Sequence, residues 1–129
     1  MRLLLDTHIL IWACATPERL SDAARAALTE PRNDAFVSAA SAWEIAIKRA
    51  LGRLEFPVAQ FDRVLREMGF TALPMSIAHG VAAGDLPRHH DDPFDRMLLA
   101  QARTEGLTLM SDDAILRRYD VPLFDDRFD

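Results

Sequence analysis

Residues 1–12 read MRLLLDTHILIW. Three leucines run directly into Asp6, Thr7 and His8, and a second apolar run follows at once. Residues 2–6 (RLLLD) have the length and composition of a short buried strand, and 7–15 (THILIWACA) read as a helix that ends before Pro17. No loop separates the two. A strand that gives way to a helix on a carboxylate places that carboxylate at the mouth of a sheet. Asp6 is therefore read first as a metal-binding acid, and the remaining chain has to supply its partners.

Outward from this stretch, strand and helix patterns alternate. Residues 21–30 (SDAARAALTE) read as a helix with Ser21 as N-cap, and 34–38 (DAFVS) as a second strand. Residues 38–52 (SAASAWEIAIKRALG) form a helix closed by Gly52. Residues 57–69 place Val58, Phe61, Val64, Leu65 and Met68 at helical spacing. A third strand is expected at 70–74 and a short helix at 76–87. Pro93 at the first position and Gly106 at the end delimit a helix over 93–106. Residues 107–111 (LTLMS) make a fourth strand and 112–119 a short helix. Residues 121–125 make an edge strand, since Pro122 cannot donate within a central one. The alternation predicts an α/β fold, a single domain over 1–129, with a mainly parallel sheet.

Composition bounds the function. The chain has 129 residues, half of them hydrophobic and 27% charged, which suits one globular domain. The single cysteine, Cys14, excludes an intrachain disulfide and suits a reducing cytoplasm. Arg2, the apolar stretch and Ala13-Cys14-Ala15 imitate a signal peptide, but Asp6, Thr7 and His8 interrupt its core. No apolar run reaches the roughly 18 residues a membrane helix needs. The net charge of −5 argues against a protein that coats nucleic acid through a basic face. Lys48 is the sole lysine among 15 cationic residues, and the arginines suit bidentate phosphate contacts.

In parallel sheets ligands bind at the carboxyl ends of strands. Asp6 ends the first strand, and Asp112 and Asp113 follow the fourth, so topology puts them on one edge. Glu44 lies mid-helix on a stripe with Val37, Ala40, Ile47 and Leu51. It reads equally as an ordinary pair with Lys48 and as a core-facing carboxylate that needs a partner or a metal. Asp92 before Pro93 is an expected N-cap. Asp95, at the third helical position, suits the helix dipole and also leads the apolar stripe of Leu98, Leu99 and Ala102. His89 and His90 lack the ligand spacing of a structural zinc site and read as exposed loop residues. Ser111 is expected to cap the short helix, with both aspartates in its first turn. Two carboxylates about 4 Å apart repel by roughly 4 kcal/mol at an effective dielectric near 20. A gathering of several therefore needs a proton or a cation, and all-oxygen donors suit Mg²⁺ or Mn²⁺. The usual work of such a site is metal-assisted attack of water on a phosphodiester.

Four segments together, LLLDTHILIW, SAASAWEIAIK, LPRHHDDPFDRMLLAQA and LTLMSDDAILRRYDVPL, resemble the PIN-domain ribonuclease toxins of the VapC type. The resemblance spans essentially the whole chain in order. It implies a three-layer α/β/α sandwich around a parallel sheet and Mg²⁺- or Mn²⁺-dependent cleavage of RNA. It further implies a homodimer and neutralisation by a VapB-type antitoxin. The family's four acids map to Asp6, Glu44, Asp95 and Asp113, with Asp92 and Asp112 as neighbouring alternatives for the last two. Arginines, Arg96 or those near the dimer groove, are expected to hold the phosphates, and Ser111 stands where the family often has Thr or Ser. A haloacid-dehalogenase-type phosphohydrolase also ends its first strand in aspartate. It needs D-x-D, however, and position 8 is His8. A catalytically silent PIN-fold binding module would have lost the acids, which are all present.

Overall fold

In the computed structural model, residues 1–125 are described. Strand β1 (Arg2–Leu5) occupies the middle of a five-stranded sheet with β2 (Asp34–Ser38), β3 (Thr71–Leu73), β4 (Thr108–Ser111) and β5 (Leu123–Asp125). The order is β3-β2-β1-β4-β5, and every pairing is parallel. The expected edge strand is at the edge. Helices α1 (Thr7–Ala15), α2 (Asp22–Thr29), α3 (Ala39–Ala50), α4 (Phe61–Met68), α5 (Ile77–Asp85) and α6 (Pro93–Glu105) cover both faces.

The side chains of β1 show why the run is continuously apolar. Leu3 and Leu5 point into a core with Ile9, Leu10, Ala24, Val37, Leu65 and Met110. Leu4 points the other way, to Leu98, Leu99, Leu109 and Leu116. A parallel strand covered on both faces needs apolar residues at every position, not at alternate ones. Three layers result, helices on sheet on helices, as the α/β/α expectation required. Leu109 is fully buried in the second core. Leu109→Ala should lower unfolding free energy by about 2–5 kcal/mol, readable as a shift in the urea midpoint.

Local signals set the boundaries. Ser21 accepts from Ala24 N at 2.9 Å to start α2, and Gly69 and Gly106 take the left-handed conformation that ends α4 and α6. The sequence expectation differs in two places. The segment over 57–69 begins as a 3-10 turn, Val58–Gln60, before α4, and the turn after β4 is 3-10 throughout, Ala114–Arg118. Asp113, not Ser111, caps that turn by accepting from Ile115 N at 3.0 Å. Cys14 is half-buried, and burial pushes its thiol up from the ordinary value. Among the described residues no helix is long and apolar enough to cross a membrane.

Candidate metal centre

The strand order reverses at β1, with β2 on one side and β4 on the other, which opens a crevice at their carboxyl ends. Asp6 lies there, 4% exposed. Its backbone N–H still donates to Met110 O at 3.0 Å, as a ladder residue would. Its Oδ1 already accepts from Ile9 N at 2.9 Å, as an N-cap. One residue thus closes the strand and opens the helix, so no loop is needed. Its Oδ2 accepts from the Ser111 hydroxyl at the end of β4. Burial pushes the Asp6 carboxyl up to about 6, against the lowering effect of these two hydrogen bonds.

Asp95 comes in on the first turn of α6, which Asp92 caps by accepting from Phe94 N at 2.8 Å and Asp95 N at 3.1 Å. The Asp95 carboxyl is pushed up to about 7, first by burial and then by the charges of Asp92, Asp6 and Glu44, with His90 opposing. Those causes define the neighbourhood, since the acids on β1, α3 and α6 act on one carboxyl. Asp112 adds its charge to Asp6. Asp113 joins through His90, whose Nε2 lies 2.9 Å from Asp95 Oδ2 and 3.1 Å from Asp113 Oδ2. His90 is therefore no exposed loop residue, whereas His89 is exposed.

Glu44 satisfies both of its sequence readings, one with each oxygen. Oε2 pairs with Lys48 Nζ at 3.0 Å, while Oε1 is buried without any hydrogen-bond partner. A buried, unpaired carboxylate oxygen is costly in water-free surroundings, and a cation relieves that cost. Carboxylate oxygens, one of them a buried acceptor left over, are donors that fit a hard divalent ion. Two of these acids, Asp95 and Asp113, form a trio with His90 in which one ligand-type atom from each residue lies within 4.8 Å of the others. Thr7 Oγ1 donates to Ser41 Oγ at 3.0 Å, a buried bond that fixes α3, and so Glu44, against the start of α1.

The PIN domain family model matches residues 3–122. The chain belongs to the PIN domain family. It is 33% identical over 126 residues to Ribonuclease VapC22 of Mycobacterium tuberculosis (strain ATCC 25618 / H37Rv), covering 92% of each protein. The fold recurs in solved structures. VapBC2 from Rickettsia felis, bound to a promoter DNA fragment, superposes with a TM-score of 0.71 at 16% identity over 97% of this chain and 98% of the other. DNA-bound VapBC from Salmonella typhimurium gives 0.70 at 16% over the same shares.

This PIN domain holds its site with residues that sequence reasoning missed or misjudged. The Tyr119 hydroxyl accepts from His89 N at 3.1 Å and His90 N at 2.9 Å, and donates to Pro87 O at 2.8 Å. Arg96 donates to Ala83 O, Leu86 O, Pro87 O and, at 3.3 Å, to His90 O. Its guanidinium is committed to backbone carbonyls, which corrects the expectation that it holds phosphate. Together the two side chains clamp the 86–90 segment that carries His90. Neither partner set could be read from sequence spacing, because both depend on where the loop lies. Tyr119→Phe should cost about 1–3 kcal/mol by stranding partners of the hydroxyl. Amide exchange at His89 and His90 should accelerate more than elsewhere.

Proposed function

We propose that this chain is the toxin of a toxin–antitoxin pair, a Mg²⁺- or Mn²⁺-dependent endoribonuclease. The observation that supports the reading is the buried Glu44 Oε1, which lacks a partner while the charges of Glu44 and Asp6 act on Asp95, and His90 joins Asp95 to Asp113. In this reading Asp6 and Asp95 are the main metal ligands, and Glu44 and Asp113 complete or orient the shell. Asp92 and Asp112 stand beside them, one as the α6 cap and one as added negative charge on Asp6. When bound, a divalent cation would activate water and neutralise charge on the phosphodiester under attack. The chain's own residues do the positioning. Ser111 fixes the Asp6 carboxylate, the α6 cap fixes Asp95, and Thr7–Ser41 fixes the helix of Glu44.

In this reading the RNA backbone passes along a cleft beside these acids. A cleft of about 300 Å³ beside the site is lined by Arg88, His90 and Arg96, among others. With Arg96 committed to carbonyls, Arg88 is the arginine that meets phosphate. A larger cavity, about 820 Å³, lies between the end of α3 and Pro57 and contains none of the six acids. Ribonuclease VapC22 is the named activity of the 33% identical relative, and the VapBC structures pair such toxins with a second protein. Exposed Trp43 and Ile47 on α3, Leu51 at its C-cap, and Ile77 and Val81 on α5 are the kind of apolar surface that a VapB-type antitoxin or a second copy in a homodimer would cover. Such a pair acts in the cytoplasm, where its RNA is.

The test is cleavage of a mixed RNA panel by antitoxin-free protein in Mg²⁺, in Mn²⁺ and in EDTA. Cleavage that requires either metal supports the reading. Folded protein that binds metal yet cleaves nothing across the panel would leave a binding module instead.

A further inference from the structure

His90 is the one cluster member that the nuclease reading above does not use. Three atoms decide what it can do. Its Nδ1 accepts the Asp92 backbone N–H at 3.1 Å. A ring nitrogen that accepts carries no proton, so the proton of the neutral ring is on Nε2. That N–H faces Asp95 Oδ2 and Asp113 Oδ2. Ligation through Nε2 would require the proton to move to Nδ1, where it would confront the Asp92 N–H. The placement is also rigid: Tyr119 holds the His90 N–H and Arg96 reaches its carbonyl. Asp113 has little freedom of its own, because its Oδ1 is held by Ile115 N at 3.0 Å and only Oδ2 faces the site.

We infer that His90 is a positioning residue that stands in for the cation. Its Nε2–H bridges Asp95 and Asp113 when the site is empty and stays outside the coordination shell, as a donor to these carboxylates, when the site is filled. This inference rests on the metal-nuclease reading for its second half only. The bridging N–H gives two acids a shared donor and keeps them aimed at the site. Each carboxylate oxygen has a second lone pair, so a cation can take that pair while the N–H keeps the first. Outer-shell donors of this sort orient ligands without contributing to the choice between Mg²⁺ and Mn²⁺, whereas an imidazole nitrogen in the first shell favours the softer ion.

The experiment uses the full chain with ¹⁵N-labelled histidine, His90→Ala and His90→Gln, and the metals alone as probes. The His90 ring should show the Nε2–H tautomer in EDTA and keep it in saturating Mg²⁺. By calorimetry, His90→Gln, whose amide can still donate, should leave the ratio of Mn²⁺ to Mg²⁺ dissociation constants within about twofold of the wild-type ratio. His90→Ala should melt several degrees lower in EDTA, and most of that loss should vanish in saturating Mg²⁺ as the cation takes over the bridge. A switch to the Nδ1–H tautomer on metal loading, or a roughly tenfold selective loss of Mn²⁺ affinity in His90→Gln, would make His90 a ligand and overturn the inference. An equal melting loss with and without metal would reduce it to ordinary loop packing and overturn it as well. If neither metal binds the wild-type chain, the nuclease reading fails separately, and the EDTA tautomer and melting results still decide the bridge.

Discussion

Asp6→Asn should abolish metal-dependent RNA cleavage while leaving the fold intact. The expected loss is about a thousandfold or more, or at least ~4 kcal/mol of transition-state stabilisation. The two halves of this result have separate causes. Asparagine caps helices as well as aspartate does, so its side-chain oxygen can keep the bond from Ile9 N. Its amide can face Ser111, whose hydroxyl then accepts where it had donated. The substitution removes a charge that is buried to 4% exposure, so the metal-free variant should melt no lower than wild type at pH 8. What disappears is one anionic oxygen at the meeting point of β1 and β4. Calorimetry should show weaker Mg²⁺ binding, and the cleavage assay should fall to the EDTA baseline. Metal-dependent cleavage within tenfold of wild type would remove Asp6 from the centre of the mechanism. Cleavage equal in both proteins and indifferent to EDTA would identify a contaminating nuclease.

The reach of the sequence follows from the range of the interactions involved. Caps and terminators act over three or four residues, so Ser21, Asp92 and Gly106 marked helix ends correctly. The unbroken apolar run of β1 required cover on both faces, and both cores supply it. The shared edge of Asp6 and the Asp112–Asp113 pair followed from parallel topology alone. The rest depended on contacts between distant segments. His90 looked like a surface residue because nothing near it in sequence shows that Asp113 lies 3.1 Å away. Tyr119 lies about thirty residues beyond the backbone that it clamps, so its role had no local sign. Arg96 fitted a phosphate contact by residue type, and only the path of the 83–90 segment shows that carbonyls occupy it. Glu44 stayed open because its two oxygens have different fates, which a one-letter code cannot record.

Metal-free protein should lose stability as pH rises from about 4 to about 7, and Mg²⁺ should restore it most at the alkaline end. In the folded chain Asp6 is pushed up to about 6 and Asp95 to about 7, against 3.8 for an ordinary aspartate. Below that ordinary value both carboxyls are protonated in the folded and the unfolded chain, and their contribution to stability is fully present. As pH rises, the unfolded chain releases these protons first. The folded chain holds more protons throughout the window, so unfolding becomes easier with every pH unit until the folded values are passed. One pKa unit corresponds to about 1.4 kcal/mol, so the two shifts together cost several kcal/mol across this window. Above about 7 these two groups add no further slope. A divalent cation binds the ionised pair, so it should flatten the profile, and the rise in melting temperature on adding Mg²⁺ should be larger at pH 8 than at pH 5. Asp6→Asn should remove the share of the slope that belongs to Asp6. A melting temperature in EDTA that holds level or climbs between pH 5 and pH 8 would mean that burial does not hold protons on these acids. The clustered charge would then be relieved in some other way, and the case for a cation as its natural partner would lose its physical basis.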